Sequence, residues 1–303
     1  MTAGPLISVV IPTFNRLDLL RVAVASVLAQ TYPNLEVIVA DDGSEDGTVR
    51  SLEAVTDPRV RLVRLPHSGN ISAVMNAGAG AARGDLLGFL NDDDLWEPEK
   101  LARQVDAMAA VGARWSYTGY ALVNQDARER RAHDSAAFRP HPRGPLYGLL
   151  TTEMSATICS VVVERAAFIR AGGFDEGLAL RADHDLVLRL AEESEPAPVP
   201  EPLVLIREHQ GRTTAAARDP FRASAKVYDR YLGRPGPRPH AWVARRLRLS
   251  HLVSSARRAS RAGLPVAAAR TLVDCAWPGI VSARWWGGWV RLVWNLAVSG
   301  DPR

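Results

Sequence analysis

Between residues 6 and 90, apolar runs of strand length alternate with stretches of helical spacing, and this alternation narrows the fold more than any other feature of the chain. "LISVVI" (6–11) is a β-branched run closed by Pro12, as suits a strand buried on both faces. "RLDLLRVAVASVLAQ" (16–30) then places leucines and valines at helical spacing. The cycle repeats with a strand at 35–40, a helix at 45–55, a basic–apolar strand at 59–65 suited to a sheet edge, a small-residue helix at 71–82 and a strand at 85–90. Successive βα units of this kind build a mainly parallel sheet flanked by helices, so the fold class is α/β.

In such sheets ligands bind beyond the carboxyl ends of the strands. "PTFN" follows the first strand, "DDGS" the second and "NDDD" the fourth, so all three polar clusters reach one edge of the sheet and can share one crevice. Adjacent carboxylates repel and are costly to desolvate without partners. Mg²⁺ or Mn²⁺ takes hard oxygen ligands, commonly one or two carboxylates plus substrate phosphates, and a nucleotide diphosphate would complete such a set. The plainer alternative is an acidic loop capping a helix that starts near Pro98, a use that fits Asp94 and Glu97. "DDGS" has a plain alternative too, a turn in which Ser44 or Asp46 caps the next helix.

After residue 98 the alternation loosens. "EKLARQVDAMAAV" (99–111) is an amphipathic helix, 114–123 a strand, 124–150 a proline-containing loop and 157–164 another strand. "RAAFIRAGGF" is a short helix closed by glycines, 182–193 a helix with an acidic first turn, "EPAPVPEP" (195–202) a stiff connector and 203–208 a last strand. From about 217 the chain reads as helical, with a break at "GRPGPRPH" (233–240). Asp183 and Asp185 flank His184 where helix 182–193 opens; an aspartate there is a general base if it faces the crevice and a helix cap if it does not.

Taken in order, "LISVVIPTFNR", "VIVADDGSEDGT", "GFLNDDDLW", "AGGFDEGL" and "ADHDLVLRLA" resemble the family 2 glycosyltransferases of the GT-A fold, over residues 6–210. The resemblance implies a Rossmann-like GT-A catalytic domain at 1–215, with a nucleotide-sugar part (1–98) and an acceptor and catalytic part (99–215), followed by a C-terminal helical extension (216–303). It implies an inverting transfer from a UDP- or dTDP-type sugar donor to an acceptor hydroxyl, in glycan, glycolipid or natural-product biosynthesis, with Mn²⁺ or Mg²⁺ as cofactor. Pro12, Thr13, Phe14 and Asn15 match the family's loop around the base, and Asp42 matches the aspartate that contacts the base, with Asp41 beside it. Asn91 and Asp92 open the family's D-x-D-D motif at its ribose end, and Asp93 matches the carboxylate that meets the metal. Asp183 matches the general base, and His209 in "PLVLIREHQG" matches a diphosphate or metal contact. Two positions depart from the pattern: Asn91 takes an aspartate's place, which removes a charge from the metal motif, and Ala182 takes the place of a glutamate before the base. These departures keep open a weak or inactive nucleotide-binding protein that acts through its basic tail. A sugar nucleotidyltransferase is disfavoured, because "IPTFNR" is not its glycine-rich triphosphate loop.

The net charge of +4 conceals an asymmetry: residues 211–303 carry 17 Arg or Lys against 4 Asp or Glu, a balance of +13, and the preceding residues balance at −9. In 240–263 six arginines surround Trp242, Leu247 and Leu252, and Trp285, Trp286, Trp289 and Trp294 follow in 285–298. Arginine with tryptophan suits an anionic membrane interface, as for a lipid-linked acceptor. A helical subdomain packed on the body or on a second subunit is the alternative, supported by Gly287 and Gly288. With two cysteines, no signal-peptide pattern and no long uncharged apolar run, the expected location is cytoplasmic, either free or peripheral at the inner membrane surface. No nucleic-acid partner is expected, because the acidic crevice repels phosphates that arrive without a cation.

Overall fold

The computed structural model describes residues 4–124, 130–132, 138–208, 219–274 and 290. Two compact units result, Met1–Gln210 and Gly211–Arg303. The first opens with β1 (Ile7–Thr13), α1 (Leu17–Leu28), β2 (Leu35–Asp41), α2 (Thr48–Glu53), β3 (Val60–Arg64), α3 (Ile71–Gly80) and β4 (Leu86–Phe89). It continues with β5 (Leu95–Trp96), α4 (Lys100–Val111), β6 (Trp115–Val123), β7 (Arg130–Ala132), α5 (Pro145–Thr151), a 3₁₀ turn (Ile158–Ser160), β8 (Val162–Glu164), α6 (Arg165–Arg170), α7 (Ala182–Glu193) and β9 (Ala197–Arg207).

These strands form one sheet in the order β3-β2-β1-β4-β8-β6-β9-β5, with β7 paired to β6. β3, β2, β1 and β4 are mutually parallel, and the parallel β6–β9 ladder is the longest pairing of the later half. β1 and β2 are buried along their whole length, which is why they read as continuous apolar runs. β3 lies at the edge of the sheet and is only half-buried, as its alternating arginines anticipate. The buried polar atoms at the amino ends of these strands are paired: Glu36 accepts from Ser8 Oγ (2.6 Å), Arg61 Nη1 (2.9 Å) and Arg83 N (2.8 Å). Burial opposes ionisation of Glu36, and these three donors outweigh it, so its pKa falls.

Three stretches differ from the sequence reading. The loop expected over 124–150 contains α5, which begins at Pro145 after Gly144 and buries Leu146, Leu149 and Leu150 along one face. The strand expected at 157–164 is a 3₁₀ turn followed by only three strand residues. The stiff connector at 195–202 is instead the first half of β9, which runs through Pro198, Pro200 and Pro202. Proline's fixed φ lies close to extended backbone, and the ladder to β6 slips in register on either side of Gly119. A Cβ at Gly119 would lie 2.5 Å from the Pro200 carbonyl oxygen, so this irregular pairing needs a glycine.

In the second unit α8 (Pro220–Gly233), α9 (Ala241–Arg261) and α10 (Pro265–Asp274) surround a small core of Ala225, Leu249, Leu252, Val253, Ala256, Ala268 and Leu272. Asp219 caps α8 by accepting from Arg222 N at 3.0 Å, and Pro220 occupies the first turn. Trp285, Trp286, Trp289 and Trp294 lie outside the described residues, as does His209. Among the described residues no helix is long and apolar enough to cross a membrane.

Candidate active site

The register of the parallel strands assembles the site. Thr13 at the end of β1 stands beside Asp41 at the end of β2, and β4 pairs with β1 from the other side before the chain enters Asn91–Asp94. Asp42 N donates to Thr13 O (2.9 Å), and Thr13 Oγ1 donates to Asp92 Oδ2 (2.9 Å), so Thr13 touches both acidic loops. The loop after β1 is stitched to the loop after β2: Asn15 N donates to Ser44 Oγ (2.8 Å), Glu45 N to Asn15 Oδ1 (2.8 Å) and Leu17 N to Asp46 Oδ2 (3.1 Å). Asn15 adopts a left-handed conformation (φ 52°), which an asparagine tolerates better than most residues. Asp46 also accepts from Thr48 N and Oγ1, a local turn contact just before α2, whose N-cap is Gly47 and carries no side-chain cap.

The two aspartates of "DDGS" have different surroundings. Asp42 is saturated: Oδ1 accepts from Ser68 N (2.9 Å) and Ser68 Oγ (2.8 Å), Oδ2 accepts from Gly69 N (2.9 Å), and His67 Nδ1 lies 3.0 Å from Oδ2. Burial pushes its pKa up, but these donors and His67 outweigh burial and hold it low. Asp41, only 1% exposed, accepts from Ser44 N (3.0 Å) through Oδ2, while its buried Oδ1 has no hydrogen-bond partner among the described residues. A buried carboxylate oxygen left over in this way suits a donor on a ligand. Gly43, between Asp42 and Ser44, has φ +81°, and a Cβ there would lie 2.9 Å from His67 N. The Phe14 and His67 rings stack at 4.0 Å between centroids, 18° from parallel, and both are partly exposed.

The three consecutive aspartates do three different jobs. Asp92 accepts from Thr13 and from Arg16 Nη1 (3.2 Å), and the same Nη1 reaches Asp93 Oδ2 at 3.1 Å. Burial raises the Asp92 carboxyl to about 6; the Arg16 charge opposes this and the Asp93 charge adds to it. Asp94 is buried and faces away from this pair of contacts. Its Oδ1 accepts from Arg207 N (3.1 Å) at the end of β9, and its Oδ2 accepts from Asn91 Nδ2 (3.1 Å) and Cys159 Sγ (3.4 Å). Burial first, and the Asp93 charge second, raise Asp94 to about 6 despite those hydrogen bonds. Asp94 is therefore no helix cap: α4 starts after Glu99 without a side-chain cap. Asn91 supplies the donor that a fourth carboxylate would lack.

Beneath this loop, Trp96 Nε1 donates to Cys159 O (2.9 Å), and Lys100 Nζ sits 3.9 Å over the Trp96 ring while donating to Gln104 Oε1 (2.7 Å). Lys100 is fully buried, and burial drives its pKa well down. Arg16, His67, Cys159 and Lys100 were not singled out in the sequence. Arg16 and His67 do adjoin motifs that were, and a basic residue next to an acidic crevice is a signal that could have been used.

Asp183 and Asp185 also separate. Asp185 is buried and paired with Arg189 (2.8 Å to Nη2), one turn along α7. Asp183 is half-buried, accepts from its neighbour His184 N (2.8 Å) and has no cation partner among the described residues. The helix is entered through Arg181 in a left-handed conformation (φ 66°), without a side-chain cap, so the helix-capping use of Asp183 is not the one seen. α7 packs on the 3₁₀ turn that carries Cys159, and Cys159 contacts Asp94.

The oxygen donors fit a hard divalent cation. Asp92 and Asp93 already share one positive group, and among the described residues no third His, Cys, Asp or Glu joins them in a metal-ligating group.

Residues 8–176 match the family described as Glycosyl transferase family 2. An uncharacterized glycosyltransferase of Rickettsia typhi is 29% identical over 225 residues, 71% of this chain and 68% of the relative. Among solved structures, S. aureus TarS in complex with UDP-GlcNAc superposes with a TM-score of 0.70 at 16% identity, over 88% of this chain and 80% of that one. The mannosyltransferase PcManGT of Pyrobaculum calidifontis, in complex with GDP-Man and Mn²⁺, gives 0.59 at 20% identity, over 98% of this chain and 87% of that one. At such identities the two structures speak to the fold, which is that of GT-A glycosyltransferases.

Proposed function

Because the chain belongs to glycosyl transferase family 2 and is a glycosyltransferase of the GT-A fold, we propose that it transfers a sugar from a nucleoside diphosphate sugar to an acceptor hydroxyl with inversion at the anomeric carbon. The observation that carries this reading is the meeting of Thr13, Arg16, Asp41, Asp92 and Asp93 at the carboxyl ends of three adjacent parallel strands.

The resemblance gives the base contact to Asp42, but its oxygens are taken up by Ser68, Gly69 and His67. The contact therefore passes to its neighbour Asp41, whose Oδ1 accepts an N–H from the donor's base, a UDP- or dTDP-type donor being the first choice, while Asp42 shapes the 67–69 loop around it. Phe14, stacked on His67, presents a flat apolar face to the base; Pro12, Thr13 and Asn15 hold that loop in place, and Asn91 and Asp92 border the ribose. Asp93, with Asp92, would hold Mn²⁺ or Mg²⁺, and His209, outside the described residues, would be a further ligand. When bound, the cation neutralises charge that builds on the departing diphosphate. Asp183 takes the proton from the acceptor hydroxyl as its oxygen bonds to the anomeric carbon and the bond to the diphosphate breaks. No covalent intermediate is needed, and a single displacement inverts the centre. Replacing Asp by Asn at 91 leaves both carboxylates of the Arg16 contact in place, so the departure from the family motif is compatible with turnover.

Residues 1–98 are then the donor part and 99–215 the acceptor part. The basic region 216–303 serves a peripheral membrane contact near a lipid-linked acceptor: on α9 Trp242, Arg245 and Arg246 are exposed and share one helical face. Contact with a second copy is the competing use of that region. The deciding experiment is a panel of nucleotide sugars, scored for thermal stabilisation and for hydrolysis with and without Mn²⁺ or Mg²⁺. A response to none of them removes the donor assignment. Flotation with anionic vesicles that is lost on deleting 240–303 tests the membrane contact; a folded chain that ignores such vesicles refutes it.

A further inference from the structure

The contact of Arg16 with the acidic pair has a use of its own. One nitrogen, Nη1, lies 3.2 Å from Asp92 Oδ1 and 3.1 Å from Asp93 Oδ2, so a single positive group joins the two carboxylates. Asp92 does not depend on Arg16 for its orientation, because Thr13 Oγ1 holds its other oxygen at 2.9 Å. The backbone on either side of Arg16 is pinned: Asn15 N and Oδ1 bond the second loop, and Leu17 N bonds Asp46. The Arg16 side chain itself is 29% exposed and is long enough to reach either loop from that fixed base.

We propose that Arg16 is a built-in counter-cation that competes with the divalent metal for Asp92 and Asp93, and that on displacement its guanidinium passes to the donor's diphosphate. This rests on the metal-assisted reading above. Two positive groups cannot share the same two carboxylate oxygens at hydrogen-bond distance without strong repulsion, so cation entry requires Arg16 to leave. A guanidinium that has lost its carboxylates finds in a phosphate an equally well-matched partner, and a diphosphate bound beside the aspartates supplies one. Metal and diphosphate then bind cooperatively: each makes the departure of Arg16 easier for the other. In the absence of both, Arg16 keeps the repelling carboxylates compatible with the folded chain.

The test uses the full chain and measures Mn²⁺ binding directly, from the spin-resonance signal of free Mn²⁺, with and without inorganic pyrophosphate. The wild-type chain binds Mn²⁺ weakly alone and more tightly with pyrophosphate. Arg16→Met binds Mn²⁺ alone about ten-fold more tightly or better, because one competing charge is gone, and loses most of the pyrophosphate enhancement. Arg16→Lys, which keeps the charge, falls between the two. Arg16→Gln substitutes for the Met variant should that one not fold, with far-UV circular dichroism as the check. Mn²⁺ affinity in the uncharged variant that is unchanged or lower overturns the inference. Asp93→Asn separates the two levels. Mn²⁺ binding that needs Asp93 but ignores Arg16 overturns this inference alone. Mn²⁺ binding indifferent to Asp93 overturns the metal assignment and the inference with it.

Discussion

Asn91→Asp restores the family's usual residue at a position where this chain has built around an amide. In the present structure the Asn91 amide donates to Asp94 Oδ2 at 3.1 Å. The substitution removes that donor and sets a second carboxylate against a buried one whose pKa is already raised to about 6, by burial and by Asp93. Left fully ionised, two such charges about 4 Å apart would cost roughly 4 kcal/mol at an effective dielectric near 20. Keeping a proton on the pair is cheaper: a carboxyl with a pKa of about 6 costs about 1 kcal/mol to protonate at pH 7 and about 3 at pH 8. Protonation wins, and the variant folds with one proton shared between residues 91 and 94. A carboxyl whose pKa rises on folding holds its proton where the unfolded chain has released it, so stability declines as pH rises above about 4. In the wild type this decline, as far as it comes from Asp94, levels off near pH 6, whereas in Asn91→Asp it continues. Urea unfolding in EDTA should therefore show almost no deficit at pH 5, about 1 kcal/mol at pH 7 and about 3 at pH 8. A deficit as large at pH 5 as at pH 8 would show that lost packing, not charge, governs the site.

Asp93→Asn should abolish sugar transfer with an unchanged circular dichroism spectrum, and full wild-type activity in excess EDTA would refute the cation's part. Asp183→Asn should preserve donor affinity and lower turnover by about 10²-fold or more; a loss of donor affinity at unchanged turnover would make it a binding residue. Retention at the anomeric carbon in the product would exclude the single displacement altogether. Gly43→Ala should destabilise the fold by about 1–3 kcal/mol, because it forces a side chain into a left-handed backbone 2.9 Å from His67 N; thermal unfolding that ignores the change would place the 67–69 loop elsewhere.

What could be read from the sequence was what short-range periodicity encodes. The β1–β4 half emerged within a residue or two at most ends, because β1, β2 and β4 are buried along their length, β3 alternates as an edge strand does, and α1 and α3 each show one apolar side. α7 was found at its observed limits, 182–193, since an acidic first turn and an apolar stripe coincide there. The first half of β9 was missed, though its end at 203–207 was read as strand, because prolines lower strand propensity locally, and only the long ladder with β6, some 80 residues away in sequence, overrides that preference. α5 was missed because Pro145 and its neighbours look like a loop until Leu146, Leu149 and Leu150 find a core. Of the acidic loop, the sequence showed where the carboxylates lie but not which way each one points. Asp94 finds its partners at Cys159 and Arg207, and Arg16 finds its own at Asp92 and Asp93, across separations no local pattern reports.

The Asp94 contacts bear on how enzymes of this kind can be recombined. One carboxylate stitches together three segments: its own loop through Asn91, the turn at Cys159 and the end of β9 at Arg207. A chimera joined near residue 98 keeps Asp94 and Asn91 but imports the other two partners from a different parent. Arg207 contributes only a main-chain N–H, which any non-proline residue can supply, provided β9 arrives in the same register. Cys159 contributes its side chain, in a space that is fully enclosed. At this one junction, graft compatibility between donor and acceptor halves therefore depends on one small hydrogen-bonding side chain at position 159 and one strand register. A library of crossovers can be filtered on those two criteria before any variant is made.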